Sequence, residues 1–200
     1  MPYVPFSKEM KETHTILIPN MLPIHFKLIS RILNNFGYKT ELLTTTNSSI
    51  AETGLKYVHN DTCYPAILVI GQMLEALMSG KYDTEKCALM LFQTGGGCRA
   101  SNYVSLMRKA LENAGMPYVP VLPLGLAGIE KHPGFENSIP MYHRMVYAVL
   151  YGDLLMSLAH QVRPYEITKG DADELCDKWV DRLDRELQNK TINYAKVKRN

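Results

Sequence analysis

The stretch that decides the fold is Lys86–Tyr103, KCALMLFQTGGGCRASNY. Lys86–Phe92 is the most apolar short run of the chain, the signature of a strand buried on both faces, as in a parallel sheet. Gln93, Thr94, Gly95, Gly96, Gly97 and Cys98 break that run. Tyr103, Leu106, Met107, Ala110 and Leu111 then trace one face of a helix closed by Gly115. Strand, glycine loop and helix in this order make half of a βαβ unit.

The same rhythm extends outward. Thr15–Pro19 reads as a strand, and Pro23 opens a helix with Ile24, Leu28, Ile32 and Phe36 on one face, stopped at Gly37. Lys39–Leu43 is a second strand, and Ser48 or Ser49 is placed to cap a short helix running to Val58. Pro65–Ser79 carries Ile67, Ile70, Leu74 and Leu77 at helical spacing, and Pro117–Leu122 reads as a fourth strand. The expected class is α/β, with a flavodoxin- or Rossmann-like open parallel sheet of about four strands, helices on both faces and a helical C-terminal part. That part comprises Ile139–His160 and Asp171–Gln188, the latter starting on a capping-box-like pair, Asp171 and Glu174. Residues 14–188 are expected as one domain, with 1–13 as an N-terminal extension and 189–200 as a flexible tail.

Composition narrows the partners. The 200 residues carry 22 Lys+Arg against 20 Asp+Glu and are 46% hydrophobic, which describes an ordinary globular chain able to build a core without disulfides. The small net charge of +2 argues against a nucleic acid or a membrane surface as the main partner. No run of about 18 apolar residues or signal-peptide core is present, so a cytoplasmic location is expected. Cys63, Cys87, Cys98 and Cys176 contain no CxxC pair, which removes zinc ribbons and thioredoxin-like motifs.

In an open parallel sheet, ligands bind where strand ends lead into helix starts. Three segments converge on that edge by strand-order rules: residues 20–25 after the first strand, Cys63 before a helix, and the TGGGC loop. Three glycines let backbone amides turn toward an anion. Gly95, Gly97 and Ala100 also fit a dinucleotide pattern, although no carboxylate follows at the ribose-binding distance. A cysteine beside such amides gains thiolate character and can ligate metal or attack as a nucleophile. Cys63 repeats that arrangement, and the pair reads either as a shared ligand set or as two small buried fillers. Cys87 and Cys176 read as core. His25 is a candidate proton donor, ligand or cap, and Arg99 a partner for phosphate or carboxylate, or a solvated helix residue.

The stretches FSKEMK, ILIPNMLPIHF, GLKYVHNDTCYPAILVIGQ, SGKYD, QTGGGCRASNY, GIEKHPGF, YGDLLM and VRPYE resemble the 2-hydroxyacyl-CoA dehydratase family. The likeness is greatest to the dehydratase-subunit-like module of the large acyl-CoA dehydratase activase-related proteins of anaerobes, and it spans roughly residues 5–185. The resemblance implies a flavodoxin-like fold and a [4Fe–4S] cluster fed one low-potential electron by an ATP-dependent activase domain or subunit. The chain would then be one component of a dehydratase, a lyase, or of its activator, with acyl-CoA as a further partner. The matching ligand positions are Cys63 and Cys98, with Asn60, Asp61, Gln93, Thr94, Gly95, Gly96, Gly97, Arg99 and His25 in the loops around them. Two ligands leave the cluster incomplete, to be finished by another protomer of a homo-oligomer, another segment or a non-cysteine group. Two alternatives stand beside this one: a nucleotide- or CoA-binding module without a cluster, and a docking scaffold for an activase.

Overall fold

The computed structural model describes residues 3–93, 98–125 and 130–188, without the side chain of Arg99. The expected flexible tail therefore lies outside the described residues. Four strands, β1 (Thr15–Ile18), β2 (Lys39–Leu42), β3 (Cys87–Phe92) and β4 (Val121–Leu124), form one all-parallel open sheet in the order β2-β1-β3-β4. This is the α/β class, in the strand order of flavodoxin-like folds. Thr15 pairs with Lys39 on one side and Cys87 on the other, and Leu89 pairs with Val121.

The fourth strand starts later than its apolar run. Pro117–Leu122 was the expected span, but residues 116–119 close a turn, Val119 N donating to Met116 O at 3.3 Å. Pairing begins only where Pro120 O accepts from Leu89 N at 2.8 Å. Pro123 is tolerated inside β4 because β4 is an edge strand, with one side that needs no donor. A short helix, α1 (Lys8–Thr13), forms within the expected N-terminal extension, its start capped by Ser7. Six residues are too few for periodicity to reveal it.

The chain divides into two compact units, one of residues 1–21 and 38–136, the other of residues 22–37 and 137–200. The first holds the sheet with α3 (Ser49–Tyr57), α4 (Tyr64–Met78) and α5 (Tyr103–Asn113). Leu17, Leu89, Leu91 and Val121 on one sheet face pack in a cluster with Ile70, Met73, Leu74, Leu77, Met107 and Leu111 of the helices. The alternate set Ile16, Ile18, Ala88, Met90 and Leu122 is equally buried, so both faces of the sheet are covered.

Two glycines let α3 lie directly on α4. A Cβ on Gly71 would sit 1.9 Å from Ile50 O, and one on Gly54 would sit 2.2 Å from Ile67 O. Alanine is the better helix former by about 1 kcal/mol, yet here the added atom meets backbone that cannot swing aside. Gly71→Ala is expected to lower the unfolding free energy by about 1–3 kcal/mol, read as a drop in the urea midpoint.

Within the same unit the N-terminal segment is anchored by Phe6, which is fully buried. The Phe6 amide donates to His132 Nδ1 at 3.0 Å. Arg108 grips Glu130 through both oxygens, at 2.6 and 2.5 Å. Burial holds the His132 imidazole below its ordinary pKa, against the opposing pull of Glu130. A folded-state value below the unfolded one means that His132 contributes stability above the usual histidine range, lost as pH falls through it. Protonation also removes the acceptor for Phe6 N–H. The protection of the Phe6 amide, measured against its intrinsic exchange rate at each pH, should therefore fall between pH 7 and pH 5, and His132→Gln should remove that pH dependence.

The second unit is helical: α2 (Pro23–Asn35), α6 (Ile139–Val162) and α7 (Asp171–Leu187). Leu28, Ile32 and Leu33 of α2 are buried, as are Met141, Met145 and Leu155 of α6 and Val180 and Leu183 of α7. Lys27–Asp177 at 2.5 Å and Arg31–Asp181 at 2.6 Å tie α2 to α7 one turn apart. Both are exposed pairs, worth at most about 1 kcal/mol each. The capping box expected from Asp171 and Glu174 does not form. Gly170, at φ +103°, is the N-cap residue, and the Glu166 carboxylate accepts from Gly170 N at 2.8 Å and Ala172 N at 3.1 Å. The preceding turn thus brings in a carboxylate five residues before the helix start, satisfying amides that Asp171, already helical, does not reach.

Candidate functional site

The carboxyl ends of the strands are held in register by two buried or half-buried amides. Gln72 of α4 accepts from Asn20 N at 3.0 Å and donates to Thr45 O at 2.7 Å, fastening the segments after β1 and β2 together. Gln93, just past β3, donates through its side chain to Ser101 O at 2.9 Å. Its backbone amide donates to Leu124 O at 3.1 Å, and a Cβ on Gly125 would lie 2.6 Å from Gln93 O. Gln93 therefore braces the entry to α5.

Cys63 is the residue before α4, extended at φ −58° and ψ 142°, with Pro65 in the first turn. Its half-buried sulfur lies 3.3 Å from the Tyr103 hydroxyl. Cys98 is exposed and opens the 3-10 turn Arg99–Asn102 that leads into α5. Ala100 N donates to its sulfur at 3.5 Å, and Ser101 Oγ donates to Cys98 O at 2.7 Å. Tyr103, the first residue of α5, is buried. Its phenol is pushed well above its ordinary pKa, by burial first, then by the hydrogen bond and charge of Cys63, and then by the charge of Cys98. Cys63 is thus in hydrogen-bond contact with this hydroxyl, at the start of the helix that the Cys98 turn leads into.

The other expected site residues fall variously. Asn60 and Asp61 lie on the exposed turn before Cys63, where Asp61 Oδ2 is 3.4 Å from His59 Nδ1. Thr94, Gly95, Gly96, Gly97 and the side chain of Arg99 lie outside the described residues. His25 belongs to the helical unit, where its buried ring meets Asp153 Oδ1 at 2.9 Å through Nε2. Gly152 makes room for that ring, since a Cβ there would be 2.4 Å from it. Cys87 and Cys176 are buried, and burial raises both thiols, Cys87 to about 11. Neither is suited to thiolate chemistry.

Sequence reasoning missed Tyr103, which had read only as part of an apolar helix face. Nothing in its spacing from Cys63, forty residues earlier, signals the contact. Gln72 was missed for the same reason. Beside Gln72 a cavity of about 370 Å³ opens at the ends of β1 and β2, walled by Asn20, Thr45, Thr46, Ile50, Pro65 and Leu68 among others. Its lining residues carry no formal charge, and Asn20 Oδ1 is a buried acceptor without a partner among the described residues.

Thiol sulfur is a soft donor of the kind that binds thiophilic metals when deprotonated. Among the described residues no three His, Cys, Asp or Glu side chains group so as to hold a metal. Fold and site together define an open α/β module with two cysteines at helix starts on its ligand edge. No protein-family model, curated protein or solved structure matches the chain, so function is argued from the chemistry of the site itself.

Tyr103 titrates above the unfolded tyrosine value, so its stabilisation is present below about pH 10 and lost as pH rises beyond it. Urea midpoints at pH 8.5 and pH 10.5 should fall further for the natural chain than for Tyr103→Phe.

Proposed function

We propose that the chain is an iron–sulfur module of the 2-hydroxyacyl-CoA dehydratase and activase type, taking part in low-potential one-electron transfer for ATP-dependent acyl-CoA chemistry. The observation that carries the reading is the Cys63 sulfur 3.3 Å from the Tyr103 hydroxyl, at the start of the helix whose entry turn opens with Cys98. Cys63 and Cys98 would hold two corners of a [4Fe–4S] cluster, with the remaining ligands contributed from elsewhere. A cluster supplies one-electron chemistry at a potential set by its surroundings. With both cysteines as thiolates, Tyr103 O–H would donate toward the Cys63 sulfur, and Ala100 N–H donates toward the Cys98 sulfur. A tyrosine hydroxyl is protonated at neutral pH, and burial raises its pKa further. The motif resemblance around CYPA and QTGGGCR supports the same reading, with the cell interior as the setting.

Anaerobic reconstitution with iron and sulfide tests it. The expected product shows broad visible sulfur-to-iron charge transfer and stoichiometric iron and sulfide. Cys63→Ser and Cys98→Ser should each lose most of the bound iron, while Cys176→Ser keeps it. Iron content at background after reconstitution, or full retention in both site variants, overturns the reading.

The uncharged cavity beside Gln72 favours a second reading, a small-molecule module without a cluster. It predicts that metal-free protein is stabilised by a CoA ester or nucleotide in a thermal-shift assay, and that Cys98→Ser leaves the stabilisation intact.

A further inference from the structure

The cavity at the carboxyl ends of β1 and β2 has a chemistry that narrows its ligand. Its volume of about 370 Å³ falls within the roughly 300–1,000 Å³ of small-molecule sites. It opens at the edge where open parallel sheets take their ligands. Asn20, Thr45, Thr46 and Gln72 supply the polar lining, and α3 and α4 supply apolar walls through Ile50 and Leu68. No Lys, Arg, His, Asp or Glu side chain is among the lining residues.

The polar groups divide into those already used and one left over. Gln72 is buried, and its two ends are taken, Oε1 by Asn20 N and Nε2 by Thr45 O. The Asn20 side chain takes no part in that link. Its Oδ1 is buried without a partner among the described residues. A buried acceptor left unpaired has lost its bond to water and gained nothing in return, so a donor brought to it is favoured.

We propose that this cavity binds an uncharged, flat group whose edge carries an N–H donor beside an acceptor, an adenine base or a primary carboxamide, with Asn20 reading that edge. A side-chain carboxamide presents C=O and NH₂ side by side, and it meets such an edge through two parallel hydrogen bonds, as asparagine does with N6 and N7 of adenine. A rotation about the Asn20 side-chain bonds turns the amide toward the cavity and gives Oδ1 the donor it lacks. The backbone N–H of Asn20 stays on Gln72, so the link between the strand exits is kept. The apolar walls take the faces of the ring. A phosphate finds no counter-charge in this lining, and burying one unpaired is unfavourable, so any charged part of the ligand stays in solvent.

The proposal rests on the small-molecule reading above and needs no cluster, so the metal-free full chain tests it. Adenosine probes the base and nicotinamide the carboxamide. At least one should raise the unfolding midpoint in a millimolar thermal-shift titration, and AMP should bind no more tightly than adenosine. Asn20→Leu, of similar size, removes the orphan acceptor and keeps the backbone bond to Gln72. It should weaken binding about ten- to hundredfold and leave the unliganded protein at least as stable. Stabilisation by neither probe, binding that Asn20→Leu leaves unchanged, or a clear loss of stability in unliganded Asn20→Leu overturns the proposal. Stabilisation by AMP but not by adenosine also overturns it, while leaving a phosphate-binding small-molecule module standing.

Discussion

Everything in the sheet-bearing unit depends on β3 being apolar on both faces. Cys87, Leu89 and Leu91 point one way and Ala88 and Met90 the other, and all five are buried. Such a strand needs cover on both faces, and it lies centrally, between β1 and β4. Burying these side chains on both faces is worth roughly 2 kcal/mol for each large one, far more than any surface ion pair the chain makes. The parallel arrangement follows from the helical crossovers, and it gathers the strand ends and helix starts on one edge. Cys98 follows β3 in a turn that leads from strand to helix, whereas Cys63 sits in the turn between α3 and α4.

Packing then sets the chemistry of the edge. Gly54 and Gly71 bring α3 onto α4 at backbone contact, and Gln72, one residue further along, ties two strand exits together. These contacts fix the start of α4 and with it Cys63. Gln93 and Ser101 fix the start of α5 and with it Cys98 and Tyr103. These linkages bring the Tyr103 hydroxyl within 3.3 Å of the Cys63 sulfur, across 40 residues of chain. In the other unit, α6 buries Met141, Met145, Ala148 and Leu155 and leaves Leu150, Leu154 and Leu158 exposed.

The class of the fold, its helices and most strand positions were legible in the sequence, because hydrophobic period and glycine stops are local. So were Cys63 and Cys98, as cysteines at helix starts. The start of β4 was not legible, since the turn closed by Val119 N on Met116 O takes up the first residues of its apolar run, and Pro123 within it is allowed by the edge position. Neither was the cap of α7, where Glu166 replaces the capping box read from Asp171 and Glu174. Cys87 and Cys176 were legible as core from their apolar neighbours. Tyr103, Gln72 and the pairing of His25 with Asp153 depend on contacts across 40 to 128 residues, which no local pattern encodes.

By itself, then, the sequence determined an α/β chain with a buried central strand, a glycine loop and two cysteines at helix starts, since each of these depends on spacing within a few residues. Only the tertiary structure decided that Cys63 meets Tyr103, that the fold divides into two compact units, and that Leu150, Leu154 and Leu158 of α6 are exposed. The reason is physical: side-chain period fixes which residues are buried, but which buried groups meet is set by the register and close approach of elements distant in the chain.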